Sequence, residues 1–209
     1  MWAPFNHLDM RNELKKEEEK GKELLEKISF MVKEKGVEET IKALHEEKVV
    51  DMNDAKEVGR FLFEHSDGFG NKLLGEYLSE MQNLETMVAF IKSIDYKGRD
   101  PIICLKDYIS RASLPGEASK IDRIIENIGV ACYESNCKTM RFPFDSSDKV
   151  YLILFAIVML NTDLHNSVVV SKITKKMFIR QCDFGNEKIV GYQIQLFPVY
   201  FQTQISLIA

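Results

Sequence analysis

Glu117 stands directly after the dipeptide Pro115-Gly116 and directly before an apolar series, Ala118, Ile121, Ile125, Ile128 and Cys132. The Pro-Gly pair marks a turn, and the series follows helical spacing. A carboxylate placed there projects from a loop tip where a helix begins. With an ordinary Glu pKa of about 4.3 it is ionised at neutral pH and offers a fixed negative charge to whatever the loop meets. A plain structural account is also open, because acidic residues in a first helical turn complement the helix dipole and its unpaired N–H groups. Asp122 and Arg123 follow on the same helix, by default a partly exposed pair of little energetic weight.

A second group of chemistry-bearing side chains, Asn161, Thr162, Asp163, His165 and Asn166, crowds the end of an 11-residue apolar run over residues 150–160. Polar side chains at a helix C-terminus can satisfy orphan carbonyls. Asp163 and His165 are metal-ligand types. Two residues apart on a helix they point to different sides, and no further His lies near, so no metal site is expected. Cys132 and Cys137 have no matching second pair for zinc. The sequence holds no Walker-type phosphate loop and no Ser-centred nucleophile elbow, so the chain is not expected to bind and hydrolyse a nucleotide itself.

The elements that must carry these groups read as short helices. Asn53 is a candidate cap for a helix bearing Ala55, Val58, Phe61 and Leu62, and Asn71 a start for one bearing Leu73, Leu74, Tyr77 and Leu78. Asn83 is a candidate cap for one bearing Leu84, Met87, Val88, Ile91 and Ile94. Asp100-Pro101 pairs a cap with Pro at the first helical position. The stripes recur at i, i+3, i+4 and i+7, so the fold class is all-α, an array of short helices. The run at 150–160 is apolar all round and belongs in the middle of the domain, and the polar switch at Asn161 marks where its helix should reach the surface. At 11 residues the run is well short of the ~20 a membrane span needs. Residues 1–10 show no period and read as frayed, and residues 11–27, dense in Glu and Lys three and four apart, read as an exposed helix. After Gly185 the texture changes, and residues 191–209 carry a strand-like share of aromatic and β-branched side chains interrupted by Pro198.

Hydrophobic residues make up 45% of the 209, enough for a sizeable core, and the formal net charge of -4 lacks the basic footprint of nucleic-acid binding. Four scattered cysteines behind a start without an apolar h-region read as reduced thiols in the cytosol.

Taken together, LPGEASKIDR (from Leu114) and FAIVMLNTDLHN (from Phe155), in this order and some thirty residues apart, closely resemble the paired signature of the Sec-seven domain, the exchange-factor family for Arf GTPases. Upstream, AKEVGRFL from Ala55, LGEYL from Leu74 and MVAF from Met87 resemble further family segments. The resemblance spans residues 28–182, leaving 1–27 as a charged helical extension and 183–209 as a divergent tail. It implies a right-handed stack of about ten helices with a hydrophobic groove, no cofactor, and an Arf-family GTPase as partner. In the family Glu117 would be the glutamic finger, displacing magnesium and opposing the β-phosphate of bound GDP. Leu114, Pro115, Gly116 and Ala118 would form its loop, and Asp122 would tie the two motifs together. Phe155, Met159 and Leu160 would line the groove, and Asn161, Thr162, Asp163, His165 and Asn166 would supply its rim. The implied location is cytoplasmic and peripheral to Golgi or endosomal membranes, with a role in vesicle traffic.

The chain departs from the family at two places. Ala112-Ser113 replaces Phe and a basic residue, which predicts weaker loop support or partner contact. The resemblance fades near Cys182, where two further helices are expected to be missing, and no pleckstrin-homology segment follows. The intact Pro115-Gly116-Glu117 loop favours an active exchange factor, whereas the altered tail favours a non-catalytic GTPase-binding module or a helical scaffold. Phe155-Ala156 resembles brefeldin-resistant members and Asp163 sensitive ones.

Overall fold

The computed structural model describes residues 7–139, 142–165 and 172–181. Among them are nine α-helices, one 3-10 turn (Met81–Asn83) and no strand: α1 His7–Glu46, α2 Ala55–Glu64, α3 Ser66–Phe69, α4 Asn71–Ser79, α5 Leu84–Lys92, α6 Pro101–Arg111, α7 Ala118–Asn136, α8 Ser147–His165 and α9 Lys175–Gln181. The fold is all-α, as the spacing predicts. The strand-like tail lies outside the described residues.

Helix α1 starts at His7, earlier than the aperiodic texture of residues 1–10 suggests. It is solvent-exposed through its Glu- and Lys-rich half and enters the core at Ile28, Val32, Ile41 and Leu44. Two helical stretches meet in it at Gly36, whose φ of 81° breaks the helical path. Lys27 of the outer half pairs with Glu47 just beyond the helix, and burial holds the inner half.

Side-chain caps start α2 and α6. At α2 the structure corrects the sequence reading: the cap is Asp54, whose carboxylate accepts from the backbone N–H of Lys56 (2.8 Å) and Glu57 (3.2 Å). Asn53 instead donates to Asp51 in the preceding turn. Replacing Asp54 by Ala should cost about 1 kcal/mol and lower the melting midpoint by about 2–4 °C in a calorimetric scan, with no change of fold. At α6, Asp100 accepts from Ile102 N–H at 2.8 Å with Pro101 at the first position, as predicted. Asn83 stands before α5 as expected but makes no side-chain cap there, because its amide donates to the Tyr77 carbonyl (2.8 Å) and closes off α4 instead.

One continuous apolar core joins every helix but the outer half of α1. Phe90 of α5 meets Tyr108 of α6 edge-on at 5.7 Å, and Leu62, Leu74, Leu78, Leu105, Ile125 and Leu154 are inaccessible around them. Helix α8 runs through this core with Val150, Ile153, Leu154, Ile157 and Val158 buried. The buried Asn136, at the end of α7, is the polar pin. Its amide donates to the carbonyls of Tyr96 (2.8 Å) and Cys132 (3.0 Å), and its oxygen accepts from Gly98 N–H at 2.7 Å. These bonds fix the turn that launches α6, and α6 in turn delivers the loop bearing Glu117.

Candidate functional site

The segment between α6 and α7 is anchored at one end and free at the other. Ala112, Ser113 and Leu114 are buried, whereas Gly116, Glu117 and Ala118 are exposed. Helix α4 does the anchoring. Asn71 donates its side-chain amide to the Ile109 carbonyl (2.5 Å), and its own carbonyl accepts from Ser113 N–H at 3.0 Å. The loop backbone lies so close to α4 that a Cβ on Gly75 would sit 2.2 Å from the Ser113 oxygen. The small side chains of Ala112 and Ser113 suit this tight passage. Arg111, which ends α6, is held over the Phe63 ring at 4.2 Å and bonded to Asp107 at 3.2 Å. Asp107 also accepts from Arg99.

Glu117 is the residue immediately before α7, with an extended backbone (φ -92°, ψ 124°), and its side chain makes no capping bond. The carboxylate therefore takes no hydrogen bond from the first-turn N–H groups of α7. The side chain is 62% exposed and accepts instead from the Ser119 hydroxyl, with Lys120 Nζ 3.7 Å away. The Ser119 hydrogen bond, followed by the charges of Lys120 and Arg123, holds the carboxyl below its ordinary range. Lys120 is shared, because its ammonium binds Glu80 at 2.8 Å across the gap to α4. Arg123 reaches the Ser79 carbonyl at the end of the same helix (3.1 Å). Glu117 thus sits on the lip of a polar cleft of about 500 Å³ lined by Lys72, Glu76, Glu80, the loop and Lys120.

The second motif supplies an apolar face beside α7. Met159 is 48% exposed and Leu152 42%, with the half-buried Phe155 between them. Residues 152, 155 and 159 follow i, i+3, i+7 and form one stripe. Tyr151 lies against the Phe155 ring at 5.8 Å and donates to Asp122 Oδ1 at 2.5 Å. That bond joins the helix of the first motif to the helix of the second, and it pushes the phenol up to about 12, so Tyr151 remains a donor through the neutral range. Asp122 and Arg123 therefore bind different partners instead of each other.

Several residues are not where the motif reading put them. Leu160 is 1% exposed, so it supports Met159 from below and cannot line an open groove. Leu114 is likewise buried and anchors the loop. Helix α8 does not surface at Asn161; that side chain is only 7% exposed, and the helix continues to His165. Thr162 donates back to the Val158 carbonyl at 2.9 Å. Asp163 turns inward, its carboxylate accepting from Ile173 N–H (2.8 Å) and its carbonyl from Lys172. These contacts tie α8 to the segment entering α9. The His165 side chain and all of Asn166 lie outside what the structure describes. Tyr151 and Leu152 were missed by the sequence reading, although the i−3 and i−4 positions from Phe155 pointed to them. Among the described residues no His, Cys, Asp and Glu cluster could hold a metal ion. No described helix is long and apolar enough to cross a membrane.

A carboxylate on a rigidly footed loop stands next to an apolar helix face with an exposed Met and half-buried aromatic side chains on this helical domain. The Sec7 domain family model matches residues 20–194, and the chain belongs to that family. Among relatives, it is 37% identical over 134 residues to the ankyrin repeat, PH and SEC7 domain containing protein secG of Dictyostelium discoideum, covering 63% of this chain and 13% of that protein. It is also 37% identical over 162 residues to brefeldin A-inhibited guanine nucleotide-exchange protein 3 of Arabidopsis thaliana, covering 76% of this chain and 9% of that one. The chain thus spans a small part of the length of these relatives. The fold matches the Sec7p catalytic domain with a TM-score of 0.72 at 23% identity, over 87% of this chain and 95% of that one. It matches ARF1-GDP bound to a Sec7 domain with brefeldin A with a TM-score of 0.76 at 23% identity, over 90% and 94%.

Proposed function

We propose that this chain is a guanine-nucleotide exchange module that promotes GDP release from an Arf-family small GTPase, with Glu117 as the group that drives release. The observation that carries this reading is the Glu117 carboxylate itself, uncapped, exposed and charged at the tip of a loop whose base is buried against α4. In this mechanism the apolar stripe of Leu152, Phe155 and Met159 receives the switch regions of the GTPase, and the loop enters its nucleotide site. Pro115, Gly116 and Ala118 give the approach, and Asp122 holds α7 to α8 through Tyr151. The carboxylate opposes the β-phosphate and competes for magnesium. No bond is made or broken; the module stabilises the nucleotide-free GTPase over the loaded one. The family resemblance implies cytoplasmic action at Golgi or endosomal membranes in vesicle traffic.

Release of a fluorescent GDP analogue from a panel of Arf-family GTPases tests the reading. Acceleration by catalytic amounts of the chain is expected for at least one of them, and no acceleration of any by a cooperatively folded protein would refute it. The pH profile is a further check. Because the Glu117 carboxyl is held below its ordinary range, it stays charged as pH falls toward that range. Acceleration by the chain, corrected for the intrinsic release rate, should therefore be flat from pH 8 to about 5.5. A decline centred near pH 6 would point to a different essential group.

A further inference from the structure

A separate cleft of about 660 Å³ opens between α2 and α5, lined by Lys56, Arg60, Leu84, Glu85, Val88, Ala89, Lys92 and Ser93. It shares no lining residue with the polar cleft at Glu117 or with the cleft between α7 and α8. Its base is firm: Gly59 lets the two helices touch so closely that a Cβ there would meet that of Ala89 at 2.6 Å. The floor is apolar and half-buried, made by Leu84, Val88 and Ala89. The walls are cationic. Lys56 and Arg60 lie one turn apart on α2, and Lys92 stands at the end of α5, all three exposed. None of the three has an ion-pair partner among the described residues, while Lys27, Lys42, Arg99, Arg111, Lys120 and Lys149 do.

The geometry points to a docking groove for an acidic amphipathic helix of a partner protein. From Leu84 to Ser93 the groove follows about 13 Å of α5, some two and a half turns of a partner helix. Apolar side chains at i, i+4 and i+7 of that helix fit the floor, and carboxylates on its two flanks fit Lys56 and Arg60 on one side and Lys92 on the other. A single phosphate headgroup requires cations converging on one point, whereas these are strung along two walls, with Glu85 between them disfavouring a continuous anionic surface. The charge pattern sets specificity and encounter rate more than raw affinity.

A fluorescein-labelled four-turn peptide with that pattern, Leu on one face and Glu on both flanks, is the probe. Its anisotropy with the full 209-residue chain should report saturable binding that weakens with added salt. The double variant Arg60→Glu/Lys92→Glu should weaken it by about tenfold or more. A peptide with its Glu changed to Lys should not bind. Amide shifts in a two-dimensional NMR spectrum should map to α2 and α5. Both substituted residues are exposed, so a melting curve like that of the parent chain will verify folding. The proposal fails if binding is absent, if the double variant binds as well as the parent, or if the shifts map to Leu152 and Met159. It fails equally if the chain binds mixed phosphatidylcholine–phosphatidylserine vesicles through these residues and not the peptide. Vesicle sedimentation distinguishes that case.

Discussion

Replacing Glu117 by Ala is expected to reduce the acceleration of GDP release by about a hundredfold to a thousandfold while leaving the melting temperature within about one degree of the parent. The first half follows from charge. Two like unit charges about 4 Å apart, at an effective dielectric of ~20, repel strongly enough to change a rate by roughly three powers of ten. The second half follows from the side chain's surroundings. It is exposed and caps nothing, and its contacts with Ser119 and Lys120 are surface contacts of the kind that contribute little. Glu117→Gln separates charge from shape: it keeps the size and loses the repulsion, so it should resemble Glu117→Ala. Charge reversal to Lys should trap a complex with the GDP-bound GTPase, because the loop would then attract the phosphate. Stopped-flow release with each variant decides the matter. A Glu117→Ala variant retaining more than a third of the parent's acceleration would remove this residue from its proposed role.

The second large effect is expected at Gly75, a residue that never approaches a partner. A methyl group there would lie 2.2 Å from the Ser113 carbonyl oxygen and 2.9 Å from its nitrogen, with backbone atoms on both sides of the contact. Backbone cannot rotate out of the way as a long side chain can, so the loop must lift off α4. Overpacking of this kind destabilises by about 1–3 kcal/mol. Lifting the loop would also break the Ser113 to Asn71 hydrogen bond and shift Glu117 with it. Gly75→Ala should therefore lower exchange by about tenfold to a hundredfold, since misplacement by about 1 Å can have that effect. The melting midpoint should fall by about 2–8 °C. The loss should appear in the maximal rate, with GTPase binding through the α8 stripe largely kept. A Gly75→Ala chain with normal exchange would show that the foot of the loop does not set the position of its tip.

The distribution of what could be read in advance is itself physical. Helix existence was legible because the apolar stripes at Ala55–Leu62 or Asp100–Ile109 are local patterns, and a cap such as Asp100 satisfies donors two residues away. The failure at Asn53 has the same origin. Two adjacent residues, Asn53 and Asp54, both suit a cap, and the choice between them depends on the Asp51 turn that draws Asn53 away. The four-residue α3 was not legible at all, being a single turn between α2 and α4 held by the burial of Phe69 beneath Phe61.

For the site, type and order were written in the chain, but orientation was not. The segment from Phe155 to Asn166 reads as one motif, yet the structure divides it by helical phase. Met159 faces out, Leu160 faces in, and Asp163 is occupied by Ile173 and Lys172. Helical phase is settled only when α7 and the core claim one side of α8.

The sequence by itself determined the helical class and the position of an ionisable carboxylate after Pro115-Gly116, because both depend on residue identity and local spacing, whereas the pairing of its segment with a second motif came from the resemblance to a family. Only the tertiary structure decided that the Glu117 side chain makes no capping bond and stands exposed. It alone also decided that Gly75 and Asn71 on α4 hold the loop's base, and that Leu152 and Tyr151 complete the apolar face. The loop's foot and the Tyr151–Asp122 tie depend on contacts between residues some 30 to 40 positions apart, and such contacts exist only once the helices have packed.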